Sequence, residues 1–125
     1  MGTLFAVGVG GGLGALARYY IASWVQPAGV LFDWGIFAVN ISGGLLMGMI
    51  VEASALKLNL PPDLRTFLTV GILGGYTTFS TFSLDSALLL QRGEYGQAAA
   101  YVIGSVVLSI LALFAGLWIV RNLYA

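Results

Sequence analysis

Four long apolar stretches constrain the fold of this chain more than any other feature of its sequence. They run over residues of about 3–25, 33–55, 64–91 and 95–123, and each exceeds the roughly 20 residues that a helix needs to cross a bilayer. Charged residues make up 8% of the chain, whereas soluble domains carry about 25%, so lipid is the expected solvent. The sequence therefore predicts an all-α membrane protein with one domain, residues 1–125, of four transmembrane helices.

Short linkers rich in helix breakers separate these stretches. Pro27 and Gly29 follow the first stretch, a double proline precedes Asp63, and Gly93 follows the third stretch. Such residues are typical of helix starts and stops. An even number of spanning helices predicts that both termini lie on the same side. The N-terminal stretch lacks the positive n-region and the cleavage site of a signal peptide, so we expect it to be retained as a helix.

The composition excludes several classes of chemistry. The chain has no cysteine and no histidine, which removes disulfides, thiol and imidazole catalysis and most transition-metal sites. Five basic and five acidic residues cancel, so we expect no nucleic-acid partner. No nucleophile–base pair supports an enzyme, and the carboxylates of Glu52 and Asp85 fall toward helix ends. Because a proton-coupled transporter generally needs an acid within the membrane, the sequence argues against a proton-driven multidrug pump.

The run from Gly74 to Ser83 interrupts the third stretch. It holds two glycines, five serine or threonine residues and two phenylalanines, which is a poor composition for a regular membrane helix. As one α-helix the third stretch would be roughly 42 Å long, against a bilayer core of about 30 Å. The sequence therefore predicts a helix break near Gly74 and Gly75. In transport proteins such a break is the usual place of an ion or substrate site.

The basic residues near the helix ends give almost no orientation signal. Lys57, Arg65 and Arg121 fall on the side of the termini, and Arg18 and Arg92 fall on the other side. Since the excess of Lys and Arg in short loops orients a membrane protein, we expect this chain to insert both ways. Two copies in opposite orientations can form an antiparallel homodimer, and polar pathways commonly form between repeats of inverted topology. The alternative is that the marginal bias fixes one orientation.

Small residues at four-residue spacing supply faces for close helix packing. Gly10 and Gly14 in the first stretch and Gly44 and Gly48 in the second stretch have this spacing. Such spacing is common in membrane helices, so it predicts helix packing without identifying the partner helix.

Asn40 and a hydroxyl stripe are the polar side chains expected deep in the second and fourth helices. An asparagine in a membrane helix usually makes an interhelical hydrogen bond, and it can also donate an N–H to an anion, so both interpretations of Asn40 stay open. Tyr101, Ser105 and Ser109 recur at i, i+4 and i+8 and so share one helix face. Small hydroxyls often serve helix packing, but three O–H donors can also replace part of the hydration shell of a small anion.

Phe79, Phe82 and Arg18 also have two interpretations each. Phe79 and Phe82 are three residues apart, so they lie close to one helix face and predict core packing. Since the edge of an aromatic ring is positive, two edges turned into a narrow passage can instead favour an anion.

Arg18 is followed by two tyrosines, which is typical of a side chain that extends to the lipid headgroups. The alternative is a structural cation or a vestibule cation that draws an anion to the protein.

Motifs in every helix resemble the Fluc fluoride-channel family, also called CrcB. The first helix has Gly-Gly-Leu-Gly-Ala-Leu-Ala-Arg over residues 11–18, the second has Val39 and Asn40 followed by glycines, and the third has the run 74–83. The fourth helix has the hydroxyl stripe. The third-helix run is the most specific of these motifs, and the resemblance covers essentially the whole chain.

This resemblance implies a dual-topology antiparallel homodimer with two fluoride pores, each lined by both subunits. Backbone carbonyls of Gly74 and Thr77 match those that hold a structural sodium ion at the dimer centre, and Arg18 matches the first-helix arginine. Ile36 and Asp85 are departures, since relatives often have threonine and glutamate there. The residues that match the pore, or that lie beside the break and can bond fluoride, are Asn40, Phe79, Ser80, Thr81, Phe82, Tyr101, Ser105 and Ser109.

The function implied by the resemblance is a fluoride-selective passive channel that exports fluoride across the inner membrane of a prokaryote. Its partners would be fluoride, sodium, the lipid bilayer and a second copy of the chain. The alternative is a small dual-topology multidrug or cation transporter, which would move protons with its substrate. A third interpretation is a membrane assembly subunit that transports nothing and copurifies with a partner.

Overall fold

The computed structural model describes residues 1–57 and 59–124, and the regular structure of these residues is entirely helical. Six α-helices and one π-helical segment follow one another along the chain. Their bounds are α1 Gly2–Val25, α2 Trp34–Leu56, α3 Pro62–Thr66, the π-helical segment Phe67–Leu73, α4 Gly74–Tyr76, α5 Phe79–Gln91 and α6 Tyr95–Leu123.

These elements form four spans that are long and apolar enough to cross a membrane. Helices α1, α2 and α6 are one span each, and the third span, Pro62–Gln91, runs from α3 to the end of α5. The predicted all-α fold with four transmembrane helices and a break in the third is confirmed, and the chain is a multi-pass membrane protein. The single domain over residues 1–125 and the antiparallel dimer stay predictions.

Glycine lets α2 and α6 run side by side with their backbones in contact. A Cβ atom at Gly44 would lie 2.6 Å from the carbonyl oxygen of Ser109. A Cβ atom at Gly48 would lie 3.1 Å from the amide nitrogen of Leu117. Because these contacts advance together along both helices, α2 and α6 run parallel.

Glycine also holds α1 against the third span. A Cβ atom at Gly10 would lie 3.0 Å from the Cα of Gly71, in the π-helical segment. A Cβ atom at Gly75, in α4, would lie 3.0 Å from the Cα of Gly11. The glycine faces predicted from the sequence therefore pack helices of one chain against each other, which the spacing alone leaves open.

Polar contacts join the helix ends at one end of the bundle. The Thr3 hydroxyl donates to Asp63 Oδ1 at 2.6 Å, which joins the start of α1 to the start of α3. Arg121 donates to Glu52 at two points, Nε to Oε1 at 3.1 Å and Nη2 to Oε2 at 3.3 Å, which joins the end of α6 to the end of α2. Since α3 follows α2 after a short linker, the start of α1 and the end of α6 lie at the same end of the bundle.

Gly93 ends α5 near the other end of the bundle. Its φ is +74°, a left-handed value that glycine adopts without steric cost. The Gly93 N–H donates to the Leu90 carbonyl at 3.1 Å, and the Glu94 N–H donates to the Leu89 carbonyl at 2.9 Å. These two bonds satisfy carbonyls in the last turn of the helix, and the predicted helix stop at Gly93 is confirmed.

The break in the third span lies at Thr77 and Thr78, beyond the glycine pair where the sequence predicts it. Thr77 has φ −85° and ψ 158°, and Thr78 has φ −151° and ψ 125°, so both are extended. Gly74 and Gly75 are helical and belong to α4. The extended residues thus lie just after the glycine pair, because Gly75 provides room for the α1 backbone and the extended conformation belongs to the two threonines.

We expect Gly48→Ala to lower the free energy of unfolding by about 1–3 kcal/mol, because the added methyl group meets the backbone of α6. The Cβ position is 3.0 Å from the carbonyl carbon of Leu113, and backbone cannot turn aside as a side chain can. Unfolding of the purified protein in detergent gives the measurement. Gly12→Ala is the control, since nothing lies within 4 Å of its Cβ position. Equal stability of the two variants would contradict the packing role of Gly48.

Candidate functional site

An open cavity of about 450 Å³ lies between α2, the break and α6. Gly43 and Gly44 form part of its wall on the α2 side, and apolar side chains such as Met47 and Leu113 continue the wall toward the end with the termini. The structure therefore brings much of the predicted site into one place. The predicted site residues that line the cavity are Asn40, Thr77, Phe79, Phe82, Ser105 and Ser109, and the break adds Thr78.

Asn40 pairs with the backbone of the break at two points. Its Nδ2 donates to the carbonyl of Thr78 at 3.1 Å, and its Oδ1 accepts from the N–H of Thr78 at 2.9 Å. Of the two interpretations of Asn40, the structure shows the hydrogen bond to another segment of the chain. An amide side chain has two N–H donors, so one donor of Asn40 remains for the cavity that it lines.

This pairing changes the hydrogen bonding of the third span. In a continuous α-helix the Thr78 N–H would donate to the Gly74 carbonyl, but here it donates to Asn40. The Thr81 N–H likewise donates to the Thr78 hydroxyl at 3.2 Å instead of the Thr77 carbonyl. The carbonyls of Gly74 and Thr77 therefore lose their helical donors.

Ser105 and Ser109 present hydroxyl groups that lack an internal partner. Both Oγ atoms are buried and make no hydrogen bond within the described part of the chain. Buried polar groups are nearly always bonded, so these two hydroxyls in the cavity wall are available to a ligand or to water. Their i, i+4 spacing places them one turn apart on the same face of α6.

Phe79 and Phe82 stand together at the start of α5 but differ in exposure. Their ring centroids are 5.4 Å apart and their planes are inclined at 47°. Phe82 is 8% exposed and stacks on Tyr101 at a centroid distance of 5.5 Å, whereas Phe79 is 77% exposed. Core packing within the chain therefore accounts for Phe82 only, and Phe79 projects away from the chain.

Tyr101 lies outside the cavity lining, in contrast to its two serine neighbours on α6. Its ring is fully buried, with the ring of Phe32 at 5.1 Å and nearly perpendicular. Its hydroxyl donates to Asp85 Oδ2 at 2.8 Å. The spacing correctly places Tyr101 on the serine face, but Asp85 engages the hydroxyl that the stripe would present to an anion. Asp85 thus has a structural partner.

The remaining predicted residues also lie outside the cavity lining. Ser80 is exposed, and its hydroxyl is 3.3 Å from that of Thr78. The backbone N–H of Thr81 donates a hydrogen bond to the Thr78 hydroxyl. Arg18 is half-buried on α1, a helix that supplies none of the described lining residues.

Sequence reasoning missed two residues that build the site. Thr78 is the N-cap of α5, and its backbone N–H and carbonyl both form hydrogen bonds with Asn40. Gly43 leaves the space that the Thr77 methyl group occupies. A threonine before an apolar helix is a known N-cap signal, so Thr78 was accessible from the sequence. Gly43 was not, because its partner lies far away along the chain.

The fold and the cavity define a small multi-pass membrane protein with a partly polar cavity at a break in its third span. Residues 5–117 match the family model described as "CrcB-like protein, Camphor Resistance (CrcB)". The chain therefore belongs to the CrcB family.

Relatives share about half of their residues with this chain over nearly the full length. A protein of Nitrobacter winogradskyi named Fluoride-specific ion channel FluC is 51% identical over 122 residues, which cover 94% of each chain. One of Nitrobacter hamburgensis named Fluoride-specific ion channel FluC 1 is 52% identical over 121 residues, or 96% of each chain. One of Agrobacterium fabrum named Fluoride-specific ion channel FluC is 48% identical over 119 residues, which cover 94% of this chain and 95% of the relative. The family inferred from the sequence motifs is confirmed.

We expect Asn40→Ala to lower the free energy of unfolding by about 1–3 kcal/mol, because it leaves the amide and carbonyl of Thr78 without their partner. Unfolding in detergent gives the measurement. Asn122→Ala is the matched control, since Asn122 Nδ2 also donates to a backbone carbonyl, that of Trp118 at 2.7 Å, but at an exposed helix end. A loss of stability no larger than that of the control would show that Asn40 does not hold the break.

Proposed function

We propose that the chain is a fluoride-selective passive ion channel, which exports fluoride from the cytoplasm and lowers its toxicity there. The observation that carries this proposal is the set of groups in the cavity wall. Two unpaired serine hydroxyls, an asparagine amide and two phenylalanine rings meet at the helix break, and no carboxylate is among the described lining residues. Membership of the CrcB family and relatives named as fluoride-specific channels support the same function.

The cavity groups suit a small and strongly hydrated anion. A path for fluoride across the bilayer has to offer hydrogen bonds in place of water, and Ser105 and Ser109 can each donate one. The free N–H of Asn40 can donate another, and the positive edges of Phe79 and Phe82 add a weak attraction. Because all these groups are neutral, the anion is bound weakly enough to leave again, as conduction requires.

A passive channel is sufficient for export. Fluoride enters from acidic surroundings as the permeant acid HF and ionises in the cytoplasm. An inside-negative potential then drives the anion outward, at about 2.3 kcal/mol per unit charge for 100 mV. We therefore place the protein in the cytoplasmic membrane of a prokaryote, and the implied function is not that of an enzyme.

We also propose that two copies assemble as an antiparallel dimer. The cavity is open on one side, and Phe79, which lines it, is 77% exposed in the single chain. A second copy that covers this side would enclose each pore between both subunits. The nearly equal numbers of basic residues at the two ends of the bundle support insertion in both orientations.

A sodium ion at the dimer centre is consistent with the hydrogen bonding of the break. The carbonyls of Gly74 and Thr77 have lost their helical donors to Asn40 and Thr78, and Gly74 is exposed on the surface of the chain. Carbonyl oxygens suit a hard cation, and unwound helix carbonyls hold sodium in other membrane proteins. When bound by both copies, the ion would neutralise these carbonyl dipoles and link the two breaks.

A small multidrug or cation transporter is not favoured. Such a protein needs an acid within the membrane that its substrate and protons can reach. Glu52 is paired with Arg121, and Asp85 accepts a hydrogen bond from Tyr101. Neither carboxylate is in the cavity lining.

Efflux from liposomes tests the proposed function. Vesicles that contain the purified protein and equal fluoride and chloride should release fluoride rapidly and chloride slowly. Folded protein that releases no fluoride would overturn the proposal. Proton movement coupled to an organic cation would instead indicate the transporter, and a stable copurifying partner without ion flux would indicate the assembly subunit.

We expect Phe79→Ile and Phe82→Ile each to slow fluoride efflux by about tenfold, because isoleucine retains the bulk of the side chain but lacks the positive ring edge. The initial rate of efflux from liposomes is the measurement, and the molecular mass in detergent checks that the assembly survives. Phe5→Ile is the control, since Phe5 is exposed on α1 and is not among the cavity residues. Unchanged efflux in both cavity variants would remove the aromatic-edge role.

We expect replacement of sodium by a large organic cation to lower the melting temperature of the purified protein and to slow fluoride efflux. An ion that binds only the folded state stabilises it by mass action, and the freed carbonyls of Gly74 and Thr77 are its proposed ligands. Lithium and potassium at the same ionic strength separate specific binding from screening. A melting temperature and an efflux rate that do not depend on the cation would contradict the sodium site.

A further inference from the structure

A partly buried pair of hydroxyl groups lies at the break, one from α2 and one from the end of α4. The hydroxyl oxygens of Ser42 on α2 and Tyr76 on α4 are 2.9 Å apart. The Ser42 hydroxyl is also 3.1 Å from the carbonyl of Val39. The Ser42 hydroxyl is therefore within hydrogen-bond distance of both groups, and either hydroxyl can be the donor in its pair with Tyr76. Tyr76 is 7% exposed, so this chain of two hydrogen bonds is shielded from competing solvent.

Three consecutive residues of the third span are each held by one residue of α2. The Tyr76 hydroxyl is hydrogen-bonded to that of Ser42, the Thr77 methyl group fills the space above Gly43, and Thr78 pairs with Asn40. Tyr76 is the last helical residue before the extended backbone begins. The hydroxyl pair is thus the contact that marks where the helix stops, and Asn40 satisfies the backbone groups of the extended residue Thr78.

The state that competes with the break is a helix that continues through Thr77. In that state the Thr78 N–H would return to the Gly74 carbonyl, and the start of α5 would leave in a different direction. The local cost of continuing the helix is small, because Thr77 already bonds the Leu73 carbonyl through both its N–H and its hydroxyl, at 3.0 and 2.9 Å. Contacts from α2 therefore have to select the broken state.

We propose that Tyr76 and Ser42 are a positioning pair that fixes the end of α4, and thereby the place of the Gly74 carbonyl and of the Phe79 ring. The pair touches neither the cavity nor the freed carbonyls, and it acts through the backbone of residues 76–78. Its consequence for ion flux rests on the proposed function, whereas its consequence for the backbone does not. Two separate measurements therefore test it.

The first measurement is hydrogen exchange of peptides that cover residues 74–82 in the purified protein. Tyr76→Phe keeps the ring against Val39 and Leu73 and removes one hydrogen bond, so exchange should become about fivefold faster. Ser42→Ala should have a larger effect, because it leaves the buried Tyr76 hydroxyl without a partner. The double variant should exchange at the rate of Tyr76→Phe, because it has no unpaired hydroxyl. Ser42→Thr keeps a hydroxyl at this position and should exchange as slowly as the wild-type protein.

The second measurement is the dependence of fluoride efflux on sodium concentration. Tyr76→Phe should raise the sodium concentration for half-maximal efflux by about fivefold, whereas a loss of folded protein would lower the rate at every sodium concentration equally. Ser54→Ala is the matched control, since Ser54 is on the same helix and its hydroxyl donates to the carbonyl of Ile50 at 2.7 Å, away from the break.

Exchange in Tyr76→Phe that equals the wild-type exchange would overturn the proposal, and so would additive effects in the double variant. If the wild-type protein conducts no fluoride, the proposed function fails and the exchange results alone decide the role of the pair. A third outcome is that Tyr76→Phe exchanges faster but shows the wild-type dependence of fluoride efflux on sodium. The pair would then hold the backbone without positioning the ion path, and the proposal would be wrong.

Discussion

The two hydrogen bonds between Asn40 and the backbone of Thr78 are the interaction on which the rest of the site depends. An unpaired amide or carbonyl in a dry environment costs about 1–3 kcal/mol, and lipid supplies no substitute donors or acceptors. Without Asn40 the third span would therefore favour a continuous helix, which would cover the Gly74 carbonyl again and redirect the start of α5. Asn40 thus stabilises the broken state, in which these carbonyls are free and the rings line the cavity.

Close backbone approach makes that pairing possible. Lipid tails are as apolar as the helix surfaces, so hydrophobic burial does not hold membrane helices together, and small residues that permit tight packing take its place. Gly44 and Gly48 bring α2 against α6, and Gly10 and Gly75 bring α1 against the third span. Gly43 then lets the break itself come near α2. The glycines that look like conformational hinges in the sequence act mainly by removing side chains between helices.

The sequence predicts the four spans and the existence of the break, because length, hydropathy and a polar run within an apolar stretch are local properties. It places the break too early, because a glycine pair is the usual sign of irregular backbone, whereas here Gly75 serves the contact with Gly11. It places Tyr101 on the correct helix face but cannot show that Asp85 takes its hydroxyl. The contact of Asn40 with Thr78 was equally inaccessible, since residues far apart in the chain leave no pattern in a single sequence.

The electrostatics of the cavity depend on which groups the acidic side chains bond. The chain has five of them, and each has a partner outside the cavity lining. Asp33 caps α2 by accepting from the Ile36 N–H, Asp63 accepts from Thr3, and Glu94 accepts from Gln97. Glu52 pairs with Arg121, and Asp85 accepts from Tyr101.

An anion in the cavity would therefore meet hydroxyl and amide dipoles and ring edges, with no carboxylate in the described part of the wall to repel it. No basic residue is among the described lining residues either, so the attraction for an anion would come from neutral groups, and weak binding of this kind lets the ion leave again. Selectivity in such a site has to come from how many donors reach the ion and how closely, because fluoride must regain there the hydration energy that it loses on leaving water.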